Sequence, residues 1–127
     1  KGGVLDSKVG SFGLNTTAPN VGDKVYTFGY PAAGRYHGSD LVYCADQLFN
    51  DSLTANKTFG IDCNITGGSS GGPWLLPFTE SSGVGTIRAV TSYGYSGQTR
   101  LYASKVNANT AATFTAAKSA SGNTVVN

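Results

Sequence analysis

Hydrophobic positions in this chain come in short runs that alternate with polar or outward positions and stop at turn residues. Val25, Thr27 and Gly29 alternate with Tyr26, Phe28 and Tyr30, and Leu41 and Tyr43 alternate with Val42 and Cys44. A period of two sends successive side chains to opposite faces of a strand. Strands are therefore expected at 24–29, 40–46, 58–63, 73–76, 84–92 and 100–102. The segments Pro31-Ala32-Ala33-Gly34, Asn50-Asp51-Ser52 and Ser81-Ser82-Gly83 carry turn chemistry. Six short antiparallel strands suit a small closed Greek-key barrel, which leaves no exposed edge. The tail reads differently. Ala111, Phe114, Thr115 and Lys118 recur at helical spacing, with Asn107 or Asn109 as N-cap and Gly122 near the stop. One helix over about 107–119 is expected, with 122–127 fraying beyond it.

Composition narrows the class. The 127 residues are the length of one domain, taken here as 1–127, able to bury a modest core. Charged residues make up 13%, about half the globular average of roughly 25%. A net charge of +2, scattered along the chain, does not suggest nucleic acid. No apolar run approaches the roughly 20 residues of a membrane-spanning helix, and nothing reads as a signal peptide, so the chain reads as a mature or cut form. Sequons stand at Asn15, Asn50, Asn56 and Asn64, which favours a secreted, glycosylated protein. In that compartment Cys44 and Cys63 are expected as a disulfide, the alternative being two buried thiols. There is no metal-ligand spacing, Walker loop or dinucleotide fingerprint, and no cofactor is expected.

The stretch Thr66-Gly67-Gly68-Ser69-Ser70-Gly71-Gly72-Pro73-Trp74 carries the candidate chemistry. It sets one hydroxyl, Ser70, in the most permissive backbone of the chain. A nucleophilic serine needs a sharp turn to expose Oγ and N–H groups aimed at the oxyanion of a tetrahedral intermediate. The N–H groups of Gly68 and Ser70 are the expected donors. Gly68-Ser69-Ser70-Gly71-Gly72 also satisfies G-x-S-x-G, but that elbow must run from a strand into a helix. Gly71-Gly72-Pro73 is a poor helix start, and no strand–helix alternation surrounds it. A glycine-rich surface turn is the bland reading.

The fuller string Gly-Ser-Ser-Gly-Gly-Pro resembles the catalytic-serine motif of trypsin-like, chymotrypsin-fold serine peptidases. Ser69, where many members have aspartate, is similar to the secreted bacterial and fungal branch related to glutamyl endopeptidases. Phe28-Gly29-Tyr30-Pro31, Tyr43-Cys44, Cys63-x-x-Thr66 and Val90-Thr91-Ser92-Tyr93-Gly94 match that branch in order, and the resemblance runs from about Val9 onward. It implies the C-terminal barrel of a two-barrel peptidase with Ser70 as nucleophile. The family's catalytic histidine and aspartate lie on an N-terminal barrel upstream. That barrel is an implied partner, in the same precursor or as a separate chain, and Asp6 takes no role. Alone, this chain is expected to be inactive.

The resemblance places Asn64, Ile65 and Thr66 in the primary specificity pocket and Ser92, Tyr93 and Gly94 on the edge that binds peptide main chain, a form of β-augmentation. The uncharged Asn64 argues against basic side chains. Glutamyl-specific relatives carry histidine where Thr91 stands, which leaves Thr66 and Thr91 as hydroxyls for a polar side chain. A glycan on Asn64 would obstruct the pocket unless the site is too buried to be modified. His37, the only histidine, forms a tempting triad with Asp40 and Ser70. The resemblance puts it in a loop, as a solvated side chain. Two functions are carried forward: the catalytic-serine half of a secreted endopeptidase, or a non-catalytic peptide- or partner-binding module.

Overall fold

The computed structural model describes residues 6–121. Its central strand shows how the alternation is used. In β2 (Lys24–Gly29) the residues Val25, Thr27 and Gly29 are buried, and Lys24, Tyr26 and Phe28 turn outward. The other elements are α1 (Asp6–Val9), β1 (Gly13–Leu14), β3 (Val42–Gln47), β4 (Phe49–Asn50), a 3-10 turn (Ser52–Thr54), β5 (Thr58–Asp62), β6 (Pro73–Thr79), β7 (Val84–Tyr93), β8 (Arg100–Lys105) and α2 (Ala108–Ser119).

The strands make one sheet in the order β3-β2-β6-β7-β8-β5-β4, antiparallel throughout, with β1 parallel to β7 off that path. The sheet curls until β3 approaches β5. Cys44 on β3 and Cys63 just after β5 are bridged there, with Cα atoms 5.8 Å apart. The architecture is the expected all-β one, with eight strands instead of six. The added strands, β1 and β4, are two residues each, too short to display a period. A one-turn α1 adds a second helix at the other end of the chain.

The interior is filled by Val25, Leu48, Phe59, Ile61, Ile65, Trp74, Leu75, Ala89, Leu101 and Ala103. Trp74 is fully buried, and its indole N–H is satisfied by the Thr91 hydroxyl at 2.9 Å. A buried N–H without such an acceptor would carry the full cost of its desolvation.

Asn107 is the N-cap of α2. Its Oδ1 accepts from the N–H groups of Asn109 and Thr110, and the Thr110 hydroxyl accepts from the Asn107 N–H in return. No residue of α2 is buried, so the helix adds nothing to the core. Gly122 and the tail to 127 lie outside the described residues. Among those described, no helix is long and apolar enough to cross a membrane.

Candidate active site

Ser70 stands on the crossing from β5 to β6, and hydrogen bonds hold that crossing on both sides. Toward the 31–33 loop, Gly67 O accepts from the Ala32 N–H at 2.8 Å, and the Thr66 hydroxyl donates to Ala33 O at 2.7 Å. Toward β7, the Gly71 N–H donates to Thr91 O and the Thr91 N–H to Gly72 O, each at 2.9 Å. Within the turn, the buried Ser69 donates to Thr66 O, and Gly72 N–H to Ser69 O. Ser70 itself is exposed at the top.

Two glycines are required by this path. Gly68 has φ +106°, and a Cβ there would lie 2.8 Å from the Ala32 nitrogen. A Cβ on Gly72 would collide with the Phe28 carbonyl. Among the described residues, the N–H groups of Gly68 and Ser70 have no acceptor. Both are unengaged in the turn that exposes Ser70.

Two cavities meet at Ser69 and Ser70. One, of about 550 Å³, is the more polar of the two, and Asn64, Ile65, Thr66, Thr91, Tyr93 and Gly94 line it. Of the residues expected to bind substrate, only Ser92 is not in that lining; it faces solvent on β7. The other cavity, of about 520 Å³, is apolar, with Phe12, Phe28, Tyr30, Leu41, Pro73 and Phe78 in its walls.

The polar cavity has no carboxylate in its lining. Its one cation, Arg100, is already paired, with Nε 2.9 Å from Asp62 Oδ1 and the guanidinium over the Phe49 ring. Asp62 and Tyr102 both hold Arg100 in its charged form. The two threonine hydroxyls are engaged elsewhere. Thr66 donates to Ala33 O, and the buried Thr91 hydroxyl serves Trp74 and lies 3.3 Å from Thr27 Oγ1. Asn64 is exposed at the rim, with its Oδ1 accepting from Tyr36 Oη at 3.3 Å. All four sequon asparagines are exposed.

His37 and Asp40 are exposed on the loop after β2. Neither lines either cavity, and among the described residues no hydrogen bond links them to Ser70. The internal triad is not assembled. Among the described residues there is also no cluster of histidine, cysteine or acidic side chains fit for a metal ion.

One site residue escaped the sequence. Asp51 is buried, yet the string Asn50-Asp51-Ser52 reads only as a turn and a sequon. Tyr93 and Tyr95, both in the polar cavity wall, donate to its Oδ2 at 2.7 and 2.8 Å. Burial pushes its carboxyl upward. Hydrogen bonds from Tyr93, Tyr95, the Leu53 N–H and Thr58 outweigh this and hold it below the usual carboxylate range. Burial raises both tyrosines, and the bond to Asp51 raises each further. The available signal was a lone aspartate two strands away from two closely spaced tyrosines, which means nothing until the fold joins them.

No protein-family model and no curated protein sequence matches the chain. Solved structures do. The protease Anisep from Arthrobacter nicotinovorans is 35% identical, with a TM-score of 0.81 over 91% of this chain and 52% of its own. A thermostable serine protease, AL20, from an extremophilic microorganism is 29% identical, with a TM-score of 0.76 over 91% of this chain and 52% of its own. An inactivated protease paralogue of the scabies mite shares the fold alone, at 16% identity and a TM-score of 0.64 over 86% of this chain and 53% of its own. This chain thus spans about half the length of each. Its sheet and closing helix are shared with serine proteases of chymotrypsin-like fold.

Proposed function

We propose that this chain carries the nucleophile of a secreted serine endopeptidase, with Ser70 as the attacking residue. The observation that carries the reading is the junction at Ser70: an exposed hydroxyl, two free N–H groups and two cavities meeting at one turn. In the reaction, Ser70 Oγ adds to the scissile carbonyl as its proton passes to a base. The N–H groups of Gly68 and Ser70 receive the oxyanion. The amine leaves with that proton, and water then releases the acyl group from Ser70. The substrate runs along Ser92–Gly94 as an added strand. The side chain before the scissile bond enters the polar cavity past Asn64, Ile65 and Thr66.

The base and its orienting acid come, on this reading, from an N-terminal barrel seated over the apolar cavity. Phe12, Phe28, Tyr30, Leu41 and Phe78 offer it a surface that water would otherwise cover. The Gly-Ser-Ser-Gly-Gly-Pro string supports the glutamyl-endopeptidase-related branch, but Thr91 gives glutamate no hydroxyl. A cavity with no carboxylate in its lining, and with its one cation already paired, favours neutral side chains. The disulfide supports an oxidising compartment. Glycans are proposed on Asn15, Asn50, Asn56 and Asn64, the last at the cavity mouth.

A non-catalytic peptide-binding module is the second reading. It is favoured by the lack of any histidine or carboxylate beside Ser70 among the described residues. A fluorophosphonate separates the two. Labelling of Ser70 when the upstream region is present, abolished in Ser70→Ala, supports the peptidase. No labelling under either condition supports the module.

A further inference from the structure

An aspartate that caps a turn needs one oxygen to do so. Asp51 Oδ1 meets that need by accepting from the Leu53 N–H at 3.0 Å. The other oxygen gathers three hydroxyls from outside the turn: Tyr93 at 2.7 Å, Tyr95 at 2.8 Å and, more loosely, Thr58 at 3.3 Å. The Thr58 hydroxyl also lies 2.7 Å from Tyr93 Oη, so the group is closed on itself.

Asp51 does not line the polar cavity, whereas Tyr93 and Tyr95 do. With both hydroxyls committed to Asp51, what the two residues offer the cavity is ring surface. Tyr102 supports them from β8. Its ring stacks on Tyr93 at 5.1 Å with planes 4° apart and meets Tyr95 edge-on at 4.8 Å. Its hydroxyl donates to Gln98, another cavity residue, at 2.8 Å. A carboxylate suits this task because hydrogen bonds to an ionised acceptor are shorter and stronger than neutral ones.

We infer that Asp51 is a positioning residue for substrate binding: its carboxylate fixes the Tyr93 and Tyr95 rings as one wall of the cavity beside Ser70. The inference rests on the peptidase reading and adds to it a residue that never touches substrate. The test compares full-length wild type with Asp51→Asn and Tyr95→Phe. A small fluorophosphonate reports Ser70 without using the wall; an extended fluorogenic peptide amide uses both. In Asp51→Asn, labelling stays within about twofold of wild type while KM rises about tenfold with little change in kcat.

Tyr95→Phe keeps the carboxylate and the fold, and its KM moves the same way by less. It carries the test if Asp51→Asn does not fold. Wild-type KM in both variants overturns the inference, as does a loss of labelling that tracks KM and melting temperature together. If wild type itself is not labelled, the peptidase reading has failed, and the wall is read by near-UV circular dichroism. A tyrosine signal unchanged in folded Asp51→Asn then overturns the inference by itself.

Discussion

Single residues in this molecule answer to several partners at once, and Thr91 shows it best. Its main chain bonds Gly71 and Gly72, and its hydroxyl accepts from Trp74 in the core. Thr91→Val should cost about 1–3 kcal/mol, because it strands the indole N–H with no acceptor; urea unfolding checks this. Gly68→Ala forces a side chain into φ +106° against Ala32. It should cost of order 1–3 kcal/mol in backbone strain and slow fluorophosphonate labelling, since the turn must shift. Asp51 sets a pH dependence. Its folded pKa is depressed, so its contribution is present above the ordinary carboxylate value and is lost as pH falls through the folded one. Tyr93 and Tyr95 are raised, so theirs is present below the ordinary tyrosine value of about 10 and is lost as pH climbs past it. Melting temperature should therefore fall at both extremes. In Asp51→Asn the acid limb should be shallower, and an unchanged limb counts against the assignment.

At the scale of elements, the disulfide is the seam of the barrel. Cys44 and Cys63 are 19 residues apart in sequence, and bridging a loop of that size is worth about 3 kcal/mol on the chain-entropy model. Reduction should lower the melting temperature clearly, by scanning calorimetry with and without reductant. The cap of α2 should behave differently. Asn107→Ala removes about 1 kcal/mol of helix stability, yet α2 buries no residue, so helical circular dichroism should fall while barrel unfolding barely moves. Much of this was legible in the sequence. Alternation placed β2 at its observed bounds, because one face is buried and the other is not. It lost β6 beyond Leu76, where Pro77 and the register shift between Leu75 and Phe78 interrupt the period although pairing resumes at Phe78. The glycine turn around Ser70 was legible because its glycines serve local needs. The Asp51 network was not, because its partners lie 42 and 44 residues away and only the sheet brings them together.

The molecule as a whole carries an apolar groove beside its most reactive-looking hydroxyl. On the proposed reading that groove belongs to another barrel. The 127 residues produced alone should then show negligible peptidase activity, the oxyanion donors having no base to work with, and should self-associate. Sedimentation at rising concentration, together with a peptide assay, checks both. Robust Ser70-dependent hydrolysis that disappears in His37→Ala would revive the internal triad. The two backbone bonds between Thr91 and the Gly71–Gly72 pair have a consequence of another kind. They join the loop that would cut to the strand that would hold the thing being cut, like a blade and a fence bolted to one plate. Neither bond involves a side chain. On the peptidase reading, Ser96 and Thr99 on the cavity wall could then be redrawn, by drift or by design, while blade and fence stay in register, so preference could be rewritten without first rebuilding turnover.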